Sequence, residues 1–166
     1  MRALWAQTIW SEDAFTSSDS ATDRELKRYA LPTFDAFMAG AGFAGMLLGM
    51  PSFEVIFDAD VSSYAGAVLF VAGVLAFAGI AFPRLWVAEA IGKVLMLVVI
   101  GGYAAAMWVL NLRGIGERWI VALAFTALLV LPVWNLFRLG RERRARRRAR
   151  ARAQEAIDSL TREGHS

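Results

Sequence analysis

Apolar residues in this chain come in long blocks, not in alternation with polar ones. The first block runs from about residue 30 to 50 and is broken only by Asp35. The second covers about 61–82, the third about 86–110 with Glu89 and Lys93 near its start, and the fourth about 119–137. Each holds roughly 20 residues, the number a helix needs to cross a hydrocarbon layer ~30 Å thick. The period-two alternation of a membrane barrel is missing, and only a helix satisfies its own backbone amides in lipid. The pattern therefore predicts an all-α fold. An integral membrane four-helix bundle over 30–137 follows a cytoplasmic segment over 1–29 and precedes a basic helical C-terminal tail over 138–166.

Proline marks the joints. Pro32 sits at the start of the first block, where a missing N–H costs little. Pro51 follows that block, and Pro83 separates the second from the third. Pro132 falls inside the fourth, where it removes the bond to the Leu128 carbonyl and should kink the helix. Upstream, Thr22 and Glu25 have capping-box spacing and predict a short helix leading into the first block. Ser17–Asp23 reads as a polar linker. Met1–Trp10, with Trp5 and Ile9 on one helical face, reads as an interfacial anchor or as a frayed end. A secretory signal fits poorly, because the early apolar stretch is short and interrupted by Gln7, so the N-terminus is expected to stay uncleaved.

Composition sharpens the picture. The chain is 57% hydrophobic with a mean hydropathy of +0.45, yet 20% of its residues are charged. Both hold only because charge is segregated: residues 61–83 contain no Asp, Glu, Lys or Arg, while 138–152 contain nine Arg. This excludes a soluble enzyme domain, a disordered chain, a collagen and a disulfide scaffold. There is no Cys, and the single His is His165, next to the last residue. Thiolate and imidazole chemistry are accordingly not expected.

Orientation follows from Lys and Arg. With both termini cytoplasmic, fifteen basic residues lie inside and two, Arg113 and Arg118, outside. The first outer loop then carries Glu54, Asp58 and Asp60 and no basic residue. Tyr29, Trp86 and Trp134 would lie at the inner interface, and Tyr64, Trp108 and Trp119 at the outer one, as amphipathic rings prefer. The expected location is a bacterial inner membrane, crossed several times. The tail residues Arg141, Arg143, Arg144, Arg146, Arg147, Arg148, Arg150 and Arg152 are expected to meet anionic lipids, each contributing ~1 kcal/mol near the surface. A cytoplasmic protein partner is the alternative. Nucleic acid is not expected, since no aromatics interleave with the arginines and the run abuts a span. Ala149, Ala153, Ala156, Ile157 and Leu160 add a thin apolar stripe at helical spacing.

Inside the spans, depth arithmetic places Asp35 about 7–8 Å and Lys93 about 10 Å below the inner surface, with Glu89 and Asn135 shallower. Intramembrane charges are costly and point to function by default. Glu89 and Lys93 can pair at i, i+4. Asp35 joins them if the first and third helices touch, giving an inner-leaflet cluster of Asp35, Glu89, Lys93 and Asn135. That cluster reads as a structural clamp; snorkelling of Lys93 and a proton or ion path are the other readings. A path would need polar groups continuing outward, and 68–77 and 94–100 offer none. Ala41, Gly45 and Gly49 in the first span, and Ala72 and Ala76 in the second, repeat at small-xxx-small spacing. Such faces serve packing within a bundle or association between copies, hence a homo-oligomer. No phosphate loop, nucleophile elbow or metal-ligand spacing is present. Neither enzymatic activity nor a cofactor or metal is expected.

The Ala/Gly/Val-rich spans, the joint Phe82-Pro83-Arg84-Leu85-Trp86 and the tail Arg141-Glu142-Arg143-Arg144-Ala145-Arg146-Arg147-Arg148 resemble small four-span membrane proteins of actinobacterial phages, some of them treated as holins. The likeness covers most of residues 30–152 and lies in architecture and composition. It implies holin-like permeabilisation of the inner membrane during phage lysis, with no residue-level roles. Beside it stand a non-enzymatic membrane adaptor or accessory subunit that binds a cytoplasmic partner, and a small transporter subunit using the Asp35/Glu89/Lys93 level.

Overall fold

The computed structural model describes Thr8 and residues 25–115 and 119–163. The described residues are helical throughout apart from short turns, with no strand among them. A π-helical turn, Leu26–Ala30, leads into α1, Leu31–Leu48. The short α2, Pro51–Glu54, precedes α3, Ala59–Ala81. A 3-10 turn, Pro83–Leu85, joins α3 to α4, Trp86–Leu112; α5 is Trp119–Leu128 and α6 is Val130–Glu163. Four stretches are long and apolar enough to cross a membrane: Leu26–Leu48, Ala59–Ala81, Trp86–Leu112 and Trp119–Arg141. The anchor reading of Met1–Trp10 (Thr8 apart), the Ser17–Asp23 linker and the Thr22 cap lie outside the described residues.

Helix begins upstream of the first apolar block, as a short lead-in, and Pro32 marks where it becomes regular α-helix. With no N–H at Pro32, the carbonyl four residues back receives no α-helical bond. The Leu31 N–H reaches back to the Leu26 carbonyl, five residues away, and the chain winds as a π turn before regular α-helix begins. The same helix ends earlier than expected, at Leu48. Gly49 has φ +76°, a left-handed conformation that suits glycine, and Met50 is extended ahead of Pro51. Ser62 closes this corner: the Met50 N–H donates to Ser62 Oγ, which lies 3.3 Å from the Met50 carbonyl.

The fourth stretch is interrupted at Leu129, three residues before Pro132. The Leu129 N–H bonds the Thr126 carbonyl at 3.2 Å, a three-residue closure that ends α5. The chain divides into two compact units just beyond, Met1–Pro132 and Val133–Ser166. In the first unit α1 packs on α3, α3 on α4, and α4 on α5. The main core joins Met38, Leu69, Ala72, Ala76, Met96, Val99 and Ile100. A second cluster gathers Phe53 of α2 with Tyr103, Ala106, Met107 and Ala122. Tyr103 stands at its centre, its ring 5.3 Å from that of Phe53 and 4.6 Å from that of Phe125. The opposite end is closed by Leu31 and Ile80. In the second unit, α6 carries the Arg138 guanidinium 5.5 Å from the Trp134 ring. Arg141, Arg143, Arg144, Arg148 and Arg152 are exposed there.

Small residues set how closely the helices approach. A Cβ on Gly42 would collide with the Phe70 backbone, and one on Gly66 with the backbone of Gly45 and Met46. On Gly73 it would lie 2.5 Å from the Ala39 nitrogen, and on Gly92 2.6 Å from both the Ala72 oxygen and the Ala76 nitrogen. The α1–α3 and α3–α4 contacts are thus backbone against backbone. Of the residues expected on these faces, Gly45, Ala72 and Ala76 are buried. Ala41 is exposed, and the contact belongs to Gly42, one residue and about 100° further round the helix. Gly49 lies past the helix end and serves the turn.

Candidate functional site

Three charged residues of the first unit, Asp35, Glu89 and Lys93, lie at similar positions along their helices. Asp35 is on the second turn of α1, and Lys93 is on the second turn of α4. The two helices reach each other beside a face of α3 built from the small residues Ala72, Gly73 and Ala76. Gly73 lets α1 close in at Ala39, and Gly92 lets α4 close in at Ala72 and Ala76. Across that narrow waist Lys93 Nζ donates to Asp35 Oδ1, and both side chains are completely buried. The ammonium also stands 5.4 Å from the centre of the Phe34 ring. Asp35 Oδ2, equally buried, accepts no hydrogen bond.

Glu89 precedes Lys93 by one turn and is also buried. Its backbone sits against Gly79, where any side chain would collide with it. It lies one helical turn from Lys93 on α4, the spacing at which side chains share a face. The structure therefore brings together Asp35, Lys93 and Glu89. Asn135 is buried as well and belongs to the second unit.

Chemically, this is a cross-link with a demanding environment. Two buried charges offset their desolvation only when each finds a partner in good geometry, and such a pair fixes which helix faces which. Beyond the pair the core continues with the apolar Leu69, Met96, Val99 and Ile100. Among the described residues no group of three or more His, Cys, Asp or Glu could hold a metal ion.

Two polar contacts lie outside anything the sequence pattern signals. Ser62, fully buried, ties α3 to the end of α1. Trp108 Nε1 donates to Thr126 Oγ1 at 3.2 Å, and that hydroxyl donates in turn to the Ala122 carbonyl at 2.7 Å, linking α4 to α5. A serine and a threonine in apolar helices are the sole hint, and residues of that type recur too often to single these two out. Comparison with protein-family models, curated proteins and solved structures finds no match.

Proposed function

We propose that the chain is a multi-pass protein of a bacterial inner membrane, with both termini cytoplasmic, and that it permeabilises that membrane in a holin-like manner. The observation that carries the reading is a set of four helices long and apolar enough to cross a membrane, three of which, α1, α3 and α4, are joined by glycine-level backbone contacts and a buried ion pair. In lipid no hydrophobic force drives helices together, so packing of small faces decides which helices associate. A face of that kind can exchange a partner in its own chain for one in another copy. Gly40, with no atom near its Cβ position, and the exposed Ala41 leave such a face open on α1. Lesions then form when copies accumulate and associate.

The test is timed expression in a bacterium with a membrane-potential dye. Collapse of the potential and growth arrest are expected once the protein accumulates. Normal growth with abundant protein in the inner membrane would defeat the proposal. The second reading, a membrane adaptor, draws on the exposed arginines of α6. It requires one stoichiometric partner in a detergent pull-down, lost when 138–166 is deleted.

A further inference from the structure

The tail helix has two kinds of face, and its register tells them apart. α6 is helical without a break from Val130 to Glu163, so positions along it can be placed round one axis. At about 100° per residue, Ala149, Ala153, Ala156 and Leu160 fall within one narrow seam, with Ala145 at its edge. Arg146 and Arg152 lie within about 70° of that seam, one on each side, whereas Arg144 and Arg147 lie about 150° away. Glu142 closes the seam at the end nearest the fourth span. Gly140, exposed and with open space round its Cβ position, stands between that span and the arginines. It is where the helix resists bending least, since glycine gives up about 1 kcal/mol of helix stability relative to alanine.

We propose that residues 145–160 are an oriented binding surface for an anionic bilayer. The helix bends at Gly140 and lies down with the alanine seam toward the acyl chains. Arg146 and Arg152 reach lipid phosphates from either side, and Arg144 and Arg147 face water. Charge complementarity and continuity with the fourth span select the membrane as occupant: nine arginines in 138–152 begin where the apolar stretch ends. The seam supplies the apolar side that an interfacial helix needs, and arginine flanks are its usual companions. This inference rests on the membrane reading above but not on permeabilisation.

The chain has no cysteine, so single-cysteine labelling is clean. The full chain, as Ala153→Cys or as Ala151→Cys on the opposite face, carries a polarity-sensitive dye and is reconstituted in phosphatidylcholine vesicles with or without phosphatidylglycerol. With phosphatidylglycerol, the dye at 153 is expected to be shielded from a neutral water-soluble quencher by at least about threefold relative to 151, and high salt removes the difference. In that background Arg146→Gln with Arg152→Gln is expected to weaken shielding about tenfold, and Arg144→Gln with Arg147→Gln by less than about threefold. Equal quenching at 151 and 153, or equal effects of the two arginine pairs, would overturn the proposal. So would shielding that appears in neutral vesicles only when an oligonucleotide is added, which would assign the tail to nucleic acid. A chain that fails to float with vesicles of either kind would sink the membrane reading itself.

Discussion

At the scale of single residues, the buried pair and the crowded glycines make opposite demands. Asp35 and Lys93 have no exposure at all, so removing either leaves the other a buried charge without its ion-pair partner. Asp35→Ala is expected to cost about 3–5 kcal/mol, whereas Asp35→Leu combined with Lys93→Met should cost far less, because the desolvation penalty disappears with the charges. Thermal unfolding of the two variants in detergent separates them; equal losses would mean the pair does not form. Gly92 offers a contrast with Gly40. Gly92→Ala puts a methyl 2.6 Å from the Ala72 oxygen and should lose about 1–3 kcal/mol. Gly40→Ala meets nothing and should be neutral or gain up to about 1 kcal/mol from helix propensity. Part of this was legible beforehand. Helical rise put Asp35 and Lys93 at nearly the same depth, because depth depends only on position along a helix. Whether they meet depends on the rotation of each helix about its axis, which the sequence encodes only through faint differences among apolar residues. The same blindness to rotation put Ala41 where Gly42 stands.

Elements were easier to read than faces, because the length of an apolar block is a property of the sequence alone. The four blocks became four long helical stretches, and most ends fell within two residues of expectation. The exceptions have local causes that a window of apolar residues does not weigh. A π turn extends the first helix upstream of Pro32, four residues before the apolar block begins. Pro132 was expected to disturb the fourth helix, and the interruption falls at Leu129, beside the Leu128 carbonyl that proline cannot satisfy. The corner after α1 yields a prediction at this scale. Ser62 Oγ accepts the Met50 N–H, and replacing it by alanine leaves that donor without a partner. Ser62→Ala should therefore cost about 1–3 kcal/mol and loosen the link between α1 and α3. Hydrogen exchange at the Met50 and Phe53 amides should quicken, while the α4–α5 contact at Trp108 and Thr126 should keep its protection.

For the whole molecule, the proposed direction of the helices rests on charge and not on shape. The chain carries fifteen Lys and Arg on the side assigned to the cytoplasm and two on the other. Basic residues in short loops near span ends are retained inside, so each joint between spans has a definite side. Phosphatase fusions that need export to be active read this out joint by joint. A fusion after Asp60 should be active, one after Arg84 inactive, one after Arg113 active and one after Ser166 inactive. The second of these is the most exacting, because the Pro83–Leu85 turn is only three residues long and carries a single arginine. On the proposed orientation its side would be imposed by the helices on either hand, through the tail's ten arginines and the acidic first loop, and not by its own charge. Arg84→Glu should accordingly leave the pattern unchanged, whereas replacing the arginines of 138–152 with glutamine should leave the last fusion divided between active and inactive populations. A fully inactive last fusion after that replacement would mean that the earlier spans alone fix the topology, and that the arginines are present for contact with lipid only.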